Sequence, residues 1–390
     1  MKNTETPQQI PFFKAEIGEE EIESVIQTLK SGWLTSGPKV KQFESEFAEF
    51  VGAKYAIAVN SATAGLHLAL EAHNIGPDDE VLVPTVTFAA TAEVVIHLGA
   101  RPVLVDCDPA TLNICLEDMR RKTNSKTRAI MPVHYAGQPC PMDEIASFAR
   151  EKDLVVIEDA AHAFPAAYKG RMIGSLSPAT CFSFYANKTI TTGEGGMITT
   201  DDETLANRMR QMSLHGLSRS AWNRFGAKGS WYYEIEAPGY KYNLSDIAAA
   251  IGIGQLHRAN DFLAGRRSAA QHYTEAFADS PHLELLSTSP DVDHAWHLLV
   301  MKLQTEKLSI DRSDFIVLLN EAGIGTSVHY TPLHLHPLYR DRYGYKPEDL
   351  PNAAAAFEQI ISLPIFSAIT AAQVAYVADT VKRIAHEHIR

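Results

Sequence analysis

Lys188 has the setting of a reactive amine. It lies in the sequence Phe-Ser-Phe-Tyr-Ala-Asn-Lys-Thr-Ile-Thr-Thr-Gly-Glu-Gly-Gly, just past an apolar run. Small and glycine neighbours can hold a lysine still and leave it within reach, and such a lysine can form a Schiff base with a carbonyl compound. A lysine in a glycine-rich loop is by itself more often a surface residue. A catalytic interpretation therefore depends on a second group.

Asp159 is a candidate for that second group. It follows the apolar run Leu154–Ile157 in the sequence Glu-Asp-Ala-Ala-His, so a carboxylate emerges where a buried strand is predicted to end. In open α/β sheets, ligands bind beyond the carboxyl ends of the strands, and Lys188 also follows a predicted strand. A carboxylate paired with an imine-forming lysine is what pyridoxal phosphate requires, because the acid keeps the pyridine nitrogen protonated. The alternative is that Asp159 only caps the next helix.

A site for a phosphate is predicted where a strand meets a helical pattern, in the segment Val-Asn-Ser-Ala-Thr-Ala-Gly-Leu at residues 59–66. Its small residues leave backbone N–H groups and the positive end of the helix dipole open to an anion. Ser61 or Thr63 can also act as the N-cap, which is compatible with anion binding. Ser183, five residues before Lys188, can add a hydroxyl to the same phosphate. A strand serine without a ligand is the alternative.

Two ring side chains follow predicted strands and can contact such a cofactor. Phe88 can stack on a pyridine ring, although a core phenylalanine is the alternative. His162 can hydrogen-bond to Asp159 or to the phenolic oxygen of the cofactor, and its alternative is a partly buried helix histidine.

The sequence His-Tyr-Thr-Pro-Leu-His-Leu-His at residues 329–336 contains no cysteine and no nearby acid before Asp341. Zinc sites favour defined tetrahedral ligand sets with a fixed second shell, so no metal site is expected here. His329 and His334 are instead interpreted as part of a mobile loop that places imidazoles near a substrate phosphate or a sugar hydroxyl.

Short β-rich runs alternate with amphipathic segments between about residues 55 and 200, which predicts a mainly parallel sheet with helices on both faces. Little room separates the runs at Cys181–Phe184 and Gly196–Thr199, so one antiparallel pair is expected there. The predicted strands are Tyr55–Val59, Val81–Pro84, Pro102–Val105, Ala129–Val133, Leu154–Ile157, Thr180–Phe184 and Met197–Thr199.

The chain is predicted to form a large cofactor-binding domain with an N-terminal arm over residues 1–255, and a connecting helix with a small α+β domain over residues 256–390. Residues 215–238 lack periodicity and are expected to form a long functional loop. Further predicted elements are the helices Glu203–Leu214, Ile247–Leu256 (capped by Ser245 or Asp246), Ala264–Phe277, Arg312–Ala322 and Ala371–His386 and the strand Trp296–Leu303.

The composition is that of an ordinary globular protein, with 45% hydrophobic and 21% charged residues. A net charge of −12 argues against binding to duplex nucleic acid, which requires a basic surface. The four cysteines show no Cys-x-x-Cys spacing, no apolar stretch is long enough to cross a membrane, and the N-terminus lacks the apolar core of a signal peptide. A cytoplasmic protein is therefore expected.

Six motifs occur in order along the chain: Gly32–Pro38, Asn60–Ala64, Pro132–Gly137, Glu158–His162, Lys188 with Gly193–Gly196, and Gly239–Asp246. Together they resemble the motifs of the DegT-type sugar aminotransferases, which are fold type I enzymes dependent on pyridoxal phosphate. The resemblance extends from about Phe12 to the C-terminus. It implies an α/β fold with a mainly parallel, mixed sheet flanked by helices, plus a smaller α+β C-terminal domain.

The resemblance implies a role for each candidate residue. Lys188 is the Schiff-base lysine, and Asp159 is the partner of the pyridinium nitrogen. Phe88 stacks on the ring, and His162 lies beside the cofactor oxygen. The implied phosphate contacts are Ala62, Thr63 and Ser183.

The resemblance also implies a homodimer with shared active sites, in which the second subunit lends a phosphate ligand. Many members of the family have Asn where this chain has Lys241, and Arg where it has Asn243. Because of this difference, both positions are candidates for the lent ligand.

The implied reaction moves an amino group from L-glutamate to a nucleotide-linked keto sugar, with the ketone expected at carbon 4. Candidate contacts for the substrate phosphates are Arg219, Arg224 and Lys228, together with His329 and His334. Solvated loop charges are the alternative for these residues.

Three other functions remain open at this point. Relatives that use pyridoxamine phosphate for dehydration have histidine in place of the lysine, so the presence of Lys188 disfavours that reaction. A non-catalytic regulatory or binding protein on the same fold is disfavoured by the joint retention of Lys188, Asp159 and the anion loop. A general amino-acid transaminase is the third alternative.

Overall fold

A seven-stranded sheet forms the centre of the computed structural model, which describes residues 9–218 and 232–390. The strands along the chain are β1 (Tyr55–Val59), β2 (Glu80–Pro84), β3 (Arg101–Val105), β4 (Thr127–Ile130), β5 (Val155–Asp159), β6 (Ala167–Tyr168), β7 (Arg171–Met172), β8 (Ala179–Ser183), β9 (Gly196–Thr200), β10 (Leu283–Leu285), β11 (Val292–Asp293), β12 (Leu299–Leu303) and β13 (Ile360–Leu363). The central sheet has the order β1-β9-β8-β5-β4-β2-β3. The seven strands predicted between residues 55 and 200 are therefore confirmed.

The directions of these strands place their carboxyl ends at one edge. β2 pairs in parallel with β3 and β4, β4 with β5, and β5 with β8. β9 runs antiparallel to both β8 and β1, which confirms the antiparallel pair expected there. β1 therefore points the same way as the parallel strands. The residues that follow β1, β2, β5 and β8 consequently meet at the same edge of the sheet.

Both faces of the sheet are buried, as expected for parallel strands. Successive side chains in a strand point to opposite faces, so Leu82 and Phe182 join one core cluster, whereas Val83 and Cys181 join the other. Burial of one large aliphatic side chain contributes about 1.5–3 kcal/mol, and most residues of these strands are buried. The sheet is therefore a rigid support for the residues at its edge.

Several helices begin at side-chain caps that the sequence provides. The hydroxyls of Ser61, Ser245 and Thr370 accept N–H groups of the first turn, and the carboxylate of Asp202 does the same. The predicted cap at Ser245 is confirmed. The helices are α1 (Glu19–Ser31), α2 (Pro38–Val51), α3 (Ala62–Ala72), α4 (Ala90–His97), α5 (Leu116–Lys122), α6 (Met142–Lys152), α7 (Glu203–Ser213), α8 (Asp246–His257), α9 (Ala259–Phe277), α10 (Arg312–Glu321), α11 (Pro337–Tyr343), α12 (Pro351–Phe357) and α13 (Ala371–Glu387).

The C-terminal part has its own antiparallel sheet, β10-β12-β13, and a core shared with α9, α10 and α13. The N-terminal arm, predicted to belong to the large domain, contributes Ile10 to this core and pairs there with Ile324. The predicted boundary after residue 255 falls inside α8. The division into two domains stays a prediction.

The structure corrects the predicted strand Trp296–Leu303. β12 begins only at Leu299, because the chain bends at Trp296, whose φ of 51° lies in the left-handed region. Of the predicted long loop at residues 215–238, the described ends include a bridge between Leu217 and Ile235.

The structure shows the state of the cysteines and the length and apolar character of the helices. All four cysteines are free thiols. In residues 9–218 and 232–390, no helix combines the length and the apolar character that a membrane crossing requires.

Candidate active site

Lys188 lies in the loop between β8 and β9, at the carboxyl edge of the sheet. Its backbone N–H donates to the carbonyl of Tyr185 at 2.9 Å, and Tyr185 forms a bridge with Gly193, so the loop is a closed turn. The side chain is half-buried, and its Nζ lies 3.4 Å from Nε2 of His297. Burial lowers the pKa of the amine to about 8; the Asp159 charge opposes this shift, and that of Arg266 adds to it. A neutral, nucleophilic amine is therefore accessible near neutral pH.

Asp159 is the last residue of β5 and is only 5% exposed. One carboxylate oxygen accepts the hydroxyl of Thr91 at 2.8 Å, and the other accepts the N–H of Ala161 at 3.1 Å. Burial raises the pKa of this carboxyl, while the two hydrogen bonds and the charge of Lys188 favour the ionised form. The helix-cap alternative is wrong, because turns and then β6 follow Asp159. The carboxylate therefore lies at the carboxyl edge of the sheet without capping a helix.

The neighbouring Glu158 points to the opposite face of the sheet and anchors the end of β5. It is fully buried, with oxygens 2.7 Å from Nε2 of His134 and 2.9 Å from the hydroxyl of Thr180. Nδ1 of His134 accepts the N–H of Cys140 at 3.0 Å, so the ring proton lies on Nε2 and is donated to Glu158. This satisfied buried network fixes the strand from which Asp159 projects.

The predicted phosphate site is formed by the first turn of α3. The hydroxyl of Ser61 accepts the N–H of Ala64 at 3.1 Å, and its carbonyl accepts that of Gly65. The N–H groups of Ala62 and Thr63 therefore remain at the open end of the helix, as an anion site requires. Ser61 is thus the N-cap, and the capping and anion-binding interpretations are compatible.

Strand register brings Ser183 to the same place. Gly196, the first residue of β9, is paired with Val59 on one side and with Ser183 on the other. A Cβ on Gly196 would lie 2.6 Å from the carbonyl carbon of Ser61 and 2.7 Å from the nitrogen of Ala62. The missing side chain therefore permits the close approach of the α3 terminus to the sheet.

Lys241 and Asn243 lie beside the α3 terminus of their own chain. Asn60 donates its N–H to the carbonyl of Tyr242 at 2.7 Å and its side-chain amide to the carbonyl of Lys241 at 3.3 Å. Nζ of Lys241 donates to the side-chain oxygen of Asn243, whose amide nitrogen donates to the hydroxyl of Ser36 at 2.8 Å. Both candidates are therefore held close to the predicted phosphate site.

The two predicted ring contacts occupy different environments. Phe88 is 62% exposed, and its ring centre is 6.0 Å from that of Tyr330. His162 is buried in a turn rather than a helix, so its helix alternative is wrong. Its Nε2 lies 2.9 Å from the hydroxyl of Tyr330, which replaces the hydrogen bond to Asp159 that was considered from sequence. Its Nδ1 is buried without a partner in the described residues.

The interpretation of His329 and His334 as part of a mobile loop is corrected by their burial. His334 is 1% exposed, and its Nδ1 lies 2.9 Å from the hydroxyl of Thr85, so it is an internal residue rather than an accessible substrate contact. His329 bonds through Nδ1 to the hydroxyl of Ser362 at 2.8 Å. Burial and the charge of Lys188 lower the pKa of His329 to about 4, so it is neutral beside the site.

Arg219, Arg224 and Lys228, the other predicted substrate contacts, lie outside the described residues. Among the described residues, no group of His, Cys, Asp and Glu side chains forms a metal-binding cluster.

Four residues of the site were not predicted from sequence. Thr91 and Tyr330 orient Asp159 and His162, and His297 contacts Lys188. Arg266 lies behind His297. A histidine in the sequence His-Ala-Trp-His at residues 294–297 is a weak signal, because nothing in its spacing connects it to a residue more than 100 positions away.

These residues fit an anionic, planar cofactor. A pocket lined by His162, Ser183, Lys188 and His297 opens at the sheet edge. The amine of Lys188, the buried carboxylate of Asp159 and the terminus of α3 lie at the same edge of the sheet. Nδ1 of His162 and Nδ1 of His297 are buried without partners in the described part of the chain. Such unpaired groups are uncommon in proteins and are typical of ligand sites.

This chain is similar to a family model, to curated proteins and to solved structures over nearly its whole length. The model of the DegT/DnrJ/EryC1/StrS aminotransferase family matches residues 15–382. The uncharacterized protein MJ1066 of Methanocaldococcus jannaschii is 51% identical over 379 residues, covering 97% of this chain and 98% of that protein. The spore coat polysaccharide biosynthesis protein SpsC of Bacillus subtilis is 49% identical over 376 residues, covering 96% and 97%. The PLP-form structure of Spr1654 from Streptococcus pneumoniae has a TM-score of 0.91 at 33% identity, covering 97% and 99%.

Proposed function

Because this chain belongs to the DegT/DnrJ/EryC1/StrS family of sugar aminotransferases, which depend on pyridoxal phosphate, we propose that it moves an amino group from L-glutamate to a nucleotide-linked keto sugar. Family membership makes it a transaminase with the fold type I architecture, so the non-catalytic alternative is set aside. The proposal concerns the donor, the acceptor with its ketone at carbon 4, the residue roles, and a cytoplasmic homodimer as the working unit.

The observation that carries the proposal is the meeting of three groups at one sheet edge. Lys188 follows β8, Asp159 ends β5, and the open terminus of α3 follows β1. An amine, an acid and an anion site in this arrangement match the three chemical parts of pyridoxal phosphate: the aldehyde, the ring nitrogen and the phosphate. When bound, this cofactor supplies an electron sink that stabilises a carbanion next to the substrate nitrogen.

Lys188 is proposed both to bind the cofactor covalently and to move the proton. With a pKa of about 8, part of the free amine is unprotonated near neutral pH, and this part can accept a proton from the donor carbon. The resulting ammonium group can return that proton to the cofactor side. The reverse sequence then delivers the amino group to the keto sugar.

Asp159 is proposed to keep the ring nitrogen protonated. Its buried position strengthens the interaction between its charge and a cation beyond the sheet edge. The hydroxyl of Thr91 and the N–H of Ala161 favour the ionised form of the carboxylate, against the effect of burial, and fix its orientation. The acid therefore needs no rearrangement when the cofactor arrives.

The remaining contacts are assigned by position. Ala62, Thr63 and Ser183 are proposed to hold the phosphate, because the register across β9 brings them together. Phe88 is proposed to stack on one face of the ring, since it follows β2 at the same edge and is exposed. His162, which Tyr330 holds in place, is proposed to lie beside the cofactor oxygen.

Capture of a dianionic substrate requires local cations, because the net charge of −12 opposes it at long range. Arg219, Arg224 and Lys228 are the proposed cations, with His329 near the amine as a further contact.

Replacing all three cations with glutamine is expected to raise KM for the sugar nucleotide about tenfold or more, because charge-assisted hydrogen bonds to phosphate are lost. KM for glutamate is expected to change much less. Steady-state kinetics with both substrates varied, at two salt concentrations, measures the difference.

The matched control for this experiment removes three exposed charges elsewhere, through Lys152→Gln, Lys382→Gln and Arg383→Gln. It changes the net charge equally and is expected to leave both KM values nearly unchanged. Equal increases for sugar nucleotide and glutamate would contradict the substrate class. Far better turnover of simple keto acids than of every nucleotide sugar would favour a general amino-acid transaminase.

We further propose that active sites are shared between two subunits, with Lys241 and Asn243 reaching the phosphate of the partner. A chain carrying Lys188→Ala is mixed with a chain carrying Lys241→Ala and Asn243→Ala. In the heterodimer, one site then has every residue intact, so activity is expected to reappear although each parent is inactive. The measurement is transamination by isolated, tagged heterodimers.

The same experiment separates two arrangements. If Lys241 and Asn243 serve the site of their own chain, beside which they lie, each site in the heterodimer lacks one component and no activity returns. That result would disprove the shared site while leaving the transaminase reaction untouched. Recovery of dimers that carry both tags shows that exchange of subunits has occurred.

A further inference from the structure

His297 is the polar side chain in contact with the amine of Lys188. Its Nε2 lies 3.4 Å from Nζ, and its ring is 4.4 Å from the ring of His162. His297 is 4% exposed, and its Nδ1 has no partner within the described residues. Burial and the charges of Lys188 and Arg266 keep the pKa of His297 well below its usual value, so the imidazole is neutral. The hydrogen-bond partner of the lysine is therefore a neutral ring and not a carboxylate.

The backbone that carries His297 is bent in an unfavourable conformation. Trp296 has a φ of 51°, which lies in the left-handed region and is rare for a bulky residue. Its N–H donates to Nδ1 of His294 at 2.8 Å, and the two rings stack at 4.1 Å. Such strain persists only where the surroundings impose it, and it often occurs at functional sites.

Arg266 of α9 is the group that holds this bend. One guanidinium nitrogen donates to the carbonyls of Trp296 at 3.1 Å, His297 at 3.3 Å and Ile365 at 3.1 Å. The side chain is 4% exposed, and in the described part of the chain no carboxylate forms an ion pair with it. A buried arginine without a carboxylate is costly, so a cation at this position calls for a functional explanation.

Among the groups of residues 9–218 and 232–390 that face Lys188, one carries a negative charge. The titratable groups around Lys188 are Asp159 from β5, the cation Arg266 and three neutral histidines, His162, His297 and His329. The carboxylate favours the ammonium form of Lys188, whereas burial and the guanidinium favour the neutral amine. The two charged groups therefore have opposite effects on the same amine.

We propose that Arg266 is a positioning residue that fixes the bend at Trp296, directs His297 onto the amine of Lys188, and places a positive charge behind that ring. This inference deepens the proposed function, since it rests on Lys188 as the proton-transferring lysine. Arg266 acts through His297 and through its charge, without contact to substrate.

The test measures the protonation of Lys188 directly in the full-length protein freed of cofactor. Competitive acetylation over a range of pH, followed by peptide mass spectrometry, gives the midpoint at which the amine becomes reactive. The exposed Lys126 is the internal reference in the same sample. Arg266→Gln is expected to raise the midpoint of Lys188 by about one pH unit, because a nearby positive charge is lost. Arg266→Lys, which retains the charge, is expected to leave it much closer to wild type.

A merely structural role for Arg266 predicts a different result: both variants would lose thermal stability, and neither would shift the midpoint according to charge. That outcome, in folded protein, would overturn the proposal. If Arg266→Gln does not fold, the variants His297→Asp and His297→Asn are compared instead, to test whether residue 297 controls the protonation of Lys188. The carboxylate is expected to raise the midpoint of Lys188 by a unit or more relative to the amide, and equal midpoints would show that residue 297 does not control the amine.

These readouts do not require catalysis. If Lys188 carried no cofactor, the labelling midpoints would still report its environment, while the proposed function would fail separately in cofactor mapping. A shifted midpoint with normal cofactor attachment supports both statements. An unshifted midpoint with normal attachment contradicts only the role of Arg266.

Discussion

Lys188→Ala is expected to abolish transamination, with a loss of at least about 10²–10⁴-fold, because the same amine is proposed to provide the covalent link and the general acid and base. Binding of the cofactor is expected to persist, since the proposed phosphate contacts at the α3 terminus and Ser183 do not involve the amine. Rates of both half-reactions measure the loss. Retention of cofactor through gel filtration measures the binding.

Attachment is tested separately from turnover. Borohydride reduction of the wild-type enzyme, followed by peptide mapping, is expected to place the cofactor on Lys188. The control is Lys126→Ala, which removes an exposed lysine and is expected to retain full activity. A reduced adduct on any other lysine, or near-normal turnover by Lys188→Ala, would disprove the assignment.

Asp159→Asn is expected to lower turnover by several orders of magnitude while leaving the fold intact. The amide has nearly the same size and can still accept a hydrogen bond from Thr91, which donates to the carboxylate at 2.8 Å. It carries no charge, however, so it cannot keep the ring nitrogen protonated in a buried site. The rate of the half-reaction with glutamate and the temperature of unfolding are the two measurements.

A milder variant tests the role of Asp159 while retaining its carboxylate. Thr91→Val removes one hydrogen bond to Asp159, and since such bonds favour the ionised form, the pKa of the carboxyl is expected to rise further. The carboxylate would then be protonated at a higher pH as the solution is acidified. When the rate of the half-reaction with glutamate is plotted against pH, the fall on the acid side should therefore move to higher pH. Near-normal rates in Asp159→Asn, or an unmoved limb in Thr91→Val, would remove Asp159 from this role.

Much of the sheet could be predicted because its signals are local. The runs Tyr55–Val59 and Leu154–Ile157 are apolar on both faces and short, which is typical of strands covered by helices on both sides. The close spacing of the runs that became β8 and β9 indicated the reversed strand. Since parallel strands share one carboxyl edge, these local signals were enough to bring Lys188 and Asp159 together.

The details around these residues could not be predicted, because they depend on contacts across large sequence separations. His334 carried the same sequence signal as His329, yet it is buried against Thr85, while His329 lies beside the site. Likewise, nothing in the sequence connects Tyr330 with His162. Burial and hydrogen bonding decide whether a histidine is an internal support or a site residue, and both are properties of the packed chain.

The sequence by itself determined the order of motifs, the strands that present them, and therefore the sheet edge at which the proposed lysine, acid and anion-binding turn meet. These follow from residue type and periodicity over short windows, where local physics is sufficient. Only the tertiary structure decided the charge environment of Lys188. The neutral His297, the bend at Trp296 and Arg266, which forms no ion pair with a carboxylate in the described residues, come together from α9 and the segment before β12. Their effect depends on distance and desolvation, which exist only once the chain has folded.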